Sequence, residues 1–75
     1  DDINICEMEV PKKLDGIQIR ESNIRKKYKL NIIAIEGKGG TILEISPDYI
    51  LKTGELIVVI GKKNNITSFE EYLVD

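Results

Sequence analysis

Polar and apolar residues alternate along "INICEMEV": Ile3, Ile5, Glu7 and Glu9 fall on one side, and Cys6, Met8 and Val10 on the other. A period of two is the mark of a half-buried strand. Pro11 ends it, because proline has no backbone N–H to pair. "KKLDG" reads as a turn leading into "IQI". From "RESN" the period lengthens. Ile24, Tyr28 and Leu30 share an apolar face while Arg25, Lys26, Lys27 and Lys29 look outward, which predicts a short helix through "NIRKKYK". Asn23 or Ser22 is placed to cap it, since both side chains accept from free backbone N–H groups. The cations crowd its last turn, where the helix dipole favours positive charge.

"NIIAIE" is a continuous apolar run rich in β-branched residues, the pattern of a central strand. "GKGG" reads as a hairpin loop and "TILEIS" as the strand after it. In "SPDYILKTGE" Pro47 fixes the backbone and Thr53-Gly54 turns the chain into "ELIVVIG", a second fully apolar strand. "KKNN" closes that strand. "ITSFEEYLV" is amphipathic, with Ile66, Phe69 and Leu73 at helical spacing and Thr67 and Glu70 as a capping box. The expected fold class is therefore α+β: a small, mostly antiparallel sheet with two short helices. Two short helices are thin cover for two apolar strands, and a second copy of the domain is the natural supplement.

Composition narrows the possibilities. The 75 residues carry 41% hydrophobic and 32% charged residues, a single small domain with a thin stability margin. We expect 1–75 to be one ligand-binding or dimerisation domain belonging to a longer protein. One cysteine allows no internal disulfide, and with no histidine there is neither a zinc ligand set nor the usual general base. No nucleophile–base pair can be named, so an enzyme is not expected. No apolar run reaches about 18 residues, the length needed to span a bilayer. The net charge is -2 and aromatics are only 5%, which argues against direct nucleic-acid binding.

The cluster Arg25 to Lys29 holds four cations in five residues of an acidic chain. Its plainer reading is a solvated face whose long stems cover apolar surface. The functional reading is an anion site centred on Arg25, whose planar fork grips phosphate in a bidentate manner where lysine acts as a point charge. Asn31 adds to it. Asparagine is depleted in strands, so ahead of four apolar residues it either caps the preceding turn or offers its amide to a ligand. "GKGG" is no phosphate-cradling loop, since Lys38 lies between two strands and not between a strand and a helix. The carboxylates are too scattered along the chain to suggest a hard-cation site.

Taken as one unit, "LDGIQIRESNIRKKYKLNIIAI" resembles the C-terminal lobe of regulator-of-potassium-conductance proteins, the TrkA-C or RCK-C domain. The residues that carry the resemblance are Gly16, Ile19, Ile24-Arg25, Lys27-Tyr28 and Asn31 to Ile35. In the second half they are Pro47, Leu51, Gly54, Glu55, Leu56 or Ile57, Val58 or Val59, and Gly61. Two departures stand out: Lys29 where the family often has glycine, and Glu55 where it has aspartate. The resemblance implies a cytoplasmic homodimer that partners a membrane potassium or cation transporter or channel subunit. It also implies, in some branches, binding of cyclic di-AMP between two copies, with no cofactor. Carried over by motif position, Arg25 meets a phosphate, Asn31 and the backbone N–H of Ile32 make polar contacts, and Ile19, Leu30, Ile32 and Pro47 wall the adenines. The output it implies is ligand-dependent gating. Three rival readings stand beside it: a lobe that only dimerises, the sensor of a transcription regulator, and a metal or another nucleotide at the same interface.

Overall fold

The structure is a computed structural model that describes residues 2–74; Asp1 and Asp75 lie outside the described residues. Four strands form one sheet: β1 (Ile3–Glu9), β2 (Asn31–Gly37), β3 (Gly40–Ile42) and β4 (Leu56–Lys62). Their order is β1-β4-β2-β3 and every pairing is antiparallel. The two apolar runs, β2 and β4, are the central strands as their composition requires. Glu7 faces Val58 and Cys6 faces Val59, so each strand sends alternate residues to opposite faces. A bulge between Ile32 and Ala34 interrupts the β2–β4 register.

One α-helix, α1 (Lys63–Leu73), covers one face. Ile66 and Phe69 are buried there with Ile57 and Val59, and the same core takes in Val10, Leu14, Ile24, Leu30, Ile35 and Leu51. The helix starts earlier than its apolar period indicates. Strand β4 stays paired with β1 as far as Lys62 opposite Ile3, and the next residue, Lys63, donates its N–H to the Asp2 carbonyl (3.0 Å). The strand ends at Lys62, the first residue of "KKNN", while the other three open the helix, so Thr67 and Glu70 lie inside it and cannot cap its start.

The second expected helix is absent. In its place, preceded by two 3-10 turns, Lys12–Leu14 and Ile19–Glu21, is a single wide turn over 24–28. Asn23 and Lys29 bracket that turn in the left-handed region, at φ 67° and 60°. A helix cannot run through either, because that conformation turns the chain out of the right-handed spiral. Lys29 thus occupies a backbone position that suits glycine, the residue the family often has there. Gly61 has a different constraint: a Cβ there would sit 2.4 Å from Leu30 Cδ2.

Strand β3 is also shorter than "TILEIS". The chain leaves the sheet after Ile42 because the following residues find other partners: Arg20 N–H donates to the Pro47 carbonyl (2.9 Å) and Ile19 N–H to the Tyr49 carbonyl (3.0 Å). Glu55, the second departure, accepts from the Tyr49 hydroxyl and, at 2.9 Å, from the Lys52 N–H. That carboxylate pushes the Tyr49 phenol up to about 12, aided by desolvation. Because the folded value lies above the usual one of about 10, the bond stabilises fully below about pH 10 and is lost as pH rises through about 12. Absorbance titration near 295 nm is expected to show a tyrosine ionising near 12 that Tyr49→Phe removes. Titration of Tyr49 near 10 would show that the bond does not form in solution.

Candidate functional site

Two irregular segments, tied together, build the site. Gly16 N–H donates to the Leu51 carbonyl (2.8 Å) and Leu51 N–H to the Ile17 carbonyl (3.0 Å). Together with the Ile19 and Arg20 bonds, these run 16–20 antiparallel to 47–51 and set Ile19 beside Pro47. Beyond Ile19 the buried Ser22 turns the chain. Its hydroxyl donates to the Ile19 carbonyl (2.6 Å) and accepts from the Ile24 N–H (3.3 Å). Ser22, not Asn23, is thus the residue that closes the start of the next turn. Ile24 drops into the core, Arg25 points outward, and Leu30 is fully buried just ahead of Asn31 at the head of β2.

The result is a cleft of about 310 Å³. Its apolar lining is Ile19, Ile24, Leu30, Ile32, Ile45 and Pro47; its polar lining is Arg20, Arg25, Lys26 and Asn31. All six residues expected from the sequence (Ile19, Arg25, Leu30, Asn31, Ile32 and Pro47) lie on it. Leu30 forms the floor, Ile19 and Ile32 are half-buried walls, and Arg25, Asn31 and Pro47 stand exposed at the mouth. Four further residues join them. Ile45 arrives because the chain has left the sheet edge, and Arg20 because its segment is tied to Pro47. Ile24 reads in sequence as core, which it also is. Lys26, which the helix pattern assigns to a solvated face, reaches the rim because only one turn is present.

The rim carries three cations in unequal states. Arg20 donates from Nε to Asp48 Oδ1 (2.9 Å) and from Nη2 to the same oxygen. Both side chains are well exposed, so the pair adds little stability, but it holds the guanidinium along the rim. Among the described residues neither Arg25 nor Lys26 forms an ion pair. An apolar slot with two uncompensated cations and an amide at its mouth suits a flat, apolar ligand bearing negative charge. Among the described residues no group of three metal-ligating side chains is present, and no helix is long and apolar enough to cross a membrane.

The turn is anchored to α1 by rings. Tyr28 lies 5.2 Å from Phe69 and 5.6 Å from Tyr72, centroid to centroid. Lys13 Nζ lies 4.4 Å above the Tyr72 ring and donates to the Tyr72 carbonyl at 2.6 Å. The turn that presents Arg25 therefore leans on the docked helix, whereas Asn31 is held by its pairing with Ile60.

Known proteins share this fold. Ktr system potassium uptake protein A of Bacillus subtilis (strain 168) is 34% identical over 70 residues, which is 93% of this chain and 32% of the relative's length. The RCK C domain of the potassium transport protein KtrA, solved in complex with cyclic diadenosine monophosphate, superposes with a TM-score of 0.87 at 31% identity. That likeness covers 95% of this chain and 84% of the other. The RCK_C domain dimer of S. agalactiae BusR, also solved with c-di-AMP, has the same fold, with a TM-score of 0.79 at 24% identity over 92% of this chain and 93% of that one. The sequence model of the TrkA-C domain matches residues 6–74. With that match spanning nearly all of its length, and with the strands, the tied segments and the cleft in place, the chain belongs to the TrkA-C domain family.

Proposed function

We propose that this chain is the cytoplasmic regulatory lobe of a potassium or other cation transport system, and that it binds cyclic di-AMP between two copies of its cleft. One observation carries the reading: six residues scattered from Ile19 to Pro47 converge on one cleft, with Arg25 at its mouth in no ion pair among the described residues. At about 310 Å³ the cleft is at the small end of the range for small-molecule sites, about 300–1,000 Å³. It therefore suits one nucleotide half of a ligand whose other half is held by a second copy. A two-fold-symmetric dinucleotide matches an isologous pair of clefts, since each copy presents the same groups to its own half.

The mechanism is binding without covalent chemistry. Adenine packs against Ile19, Ile32 and Pro47; the phosphate takes the Arg25 fork, with the Asn31 amide beside it. A ligand spanning two copies favours the arrangement in which both clefts face it. It shifts the parent transporter only by its difference in affinity for the two arrangements. Calorimetric titration of the chain with cyclic di-AMP, with cyclic di-GMP and ATP as controls, is expected to saturate at one ligand per two chains, with no saturation by the controls. A folded protein that gives no heat with cyclic di-AMP would reduce the cleft to a structural feature of a dimerisation lobe.

A further inference from the structure

We infer that Arg20 is a further ligand-contacting residue of the cleft, one that stacks its flat guanidinium over the outer face of the base instead of gripping phosphate. The inference rests on the reading of the cleft as one half of a cyclic di-AMP site. The backbone fixes where this side chain starts. Arg20 lies in the 3-10 turn Ile19–Glu21, and its N–H donates to the Pro47 carbonyl (2.9 Å), which sets it on the cleft lining. Its far end is fixed as well. Nε donates to Asp48 Oδ1 (2.9 Å), and Nη2 donates to the same oxygen. Asp48 is itself held, since its N–H donates to Ser46 Oγ (3.1 Å) and its carbonyl accepts from Gln18 Nε2 (3.5 Å). A guanidinium is planar, so two bonds along one edge leave its plane little freedom to turn. Arg25 and Lys26 have no such restraint, because among the described residues neither forms an ion pair.

Charge decides which part of the ligand such a group meets. Paired with Asp48, Arg20 brings no net positive charge to the rim, and a phosphate approaching it meets the carboxylate too. Arg25 and Lys26 carry the net charge, so the phosphate goes to them. What Arg20 still offers is the face of its plane, and guanidinium planes stack on unpaired bases. Apolar contact in the cleft comes from Leu30 on the floor and from half-buried Ile19 and Ile32 on the walls. These cover the inner side of a bound base and leave its outer face to water unless a flat group closes it. The Arg20 side chain is 52% exposed, so it can lie over that face and still keep much of its hydration. Stacking of this kind is also compatible with the bonds to Asp48, which use the edge of the guanidinium and not its face.

Removing Arg20 alone would leave the Asp48 carboxylate uncompensated and repel phosphate whatever Arg20 does. The test therefore changes both residues and keeps the pair neutral. Arg20→Ala with Asp48→Asn removes the plane; Arg20→Tyr with Asp48→Asn replaces it with an uncharged ring. The exposed pair adds little stability, and circular dichroism checks that both proteins fold. In calorimetric titration with cyclic di-AMP, the alanine variant is expected to bind about 5–30-fold more weakly than wild type. One cation–π contact at an exposed site is worth about two- to fivefold in affinity, and the shared ligand loses one from each copy. The tyrosine variant is expected to bind within about threefold of wild type or tighter, since stacking on a base needs a π face and no charge. Equal losses in the two variants would overturn the stacking assignment in favour of a phosphate contact. Wild-type affinity in the alanine variant would remove Arg20 from the site and leave the cleft reading intact. A folded wild-type chain that does not bind would overturn the cleft reading itself, and this inference with it.

Discussion

Arg25→Ala is expected to weaken cyclic di-AMP binding by about 10²-fold or more while leaving the fold intact. Hydrogen bonds to charged groups are each worth about 1.5–3 kcal/mol net, and a ligand shared by two copies loses one arginine from each. The combined loss of about 3–6 kcal/mol corresponds to roughly 10²–10⁴ in Kd. The fold is spared because Arg25 is exposed and carries no ion pair among the described residues. Arg25→Lys keeps the charge but not the planar fork, so its affinity is expected to fall between the two. Wild-type affinity in Arg25→Ala, measured by the same calorimetry, would remove Arg25 from the site and return the basic cluster to a solvated surface.

Phe69→Ala is expected to cost about 3–5 kcal/mol, the usual penalty for emptying a large aromatic site in a core. Phe69 is fully buried and sits between the sheet and the Tyr28–Tyr72 ring cluster. A domain of this length is stabilised by about 4–11 kcal/mol, so the loss is a large fraction of the total. At roughly 4–8 °C per kcal/mol for a domain of this size, the melting temperature falls by about 12–40 °C. Tyr72→Ala, at an exposed ring, is expected to lose far less. Urea unfolding followed by circular dichroism checks both. Equal losses in the two variants would mean that the ring cluster, and not the core site beneath it, holds the helix. Because Tyr28 links the helix to the turn that presents Arg25, cleft affinity in a partly folded Phe69→Ala preparation falls with stability.

Much of the fold is legible in the chain because it is written in local periods. The alternation in "INICEMEV", the apolar runs of β2 and β4, the glycine-rich hairpin and the 3.6-residue spacing of Ile66, Phe69 and Leu73 each encode one element and the face it buries. Six cleft residues are legible too, through motif order, although nothing local says that Ile19 and Pro47 touch. Long-range backbone bonding decided the rest. The tie between 16–20 and 47–51 ends β3 at Ile42, delivers Ile45 and Arg20 to the cleft and displaces the strand expected through Ser46. Left-handed Asn23 and Lys29 limit the basic segment to one turn, which brings Lys26 to the rim. The pairing of Ile3 with Lys62 starts α1 at Lys63 and so leaves the Thr67–Glu70 pair without a helix end to cap. A period shows which side of its own strand a residue takes; only the assembled sheet decides what stands beside it.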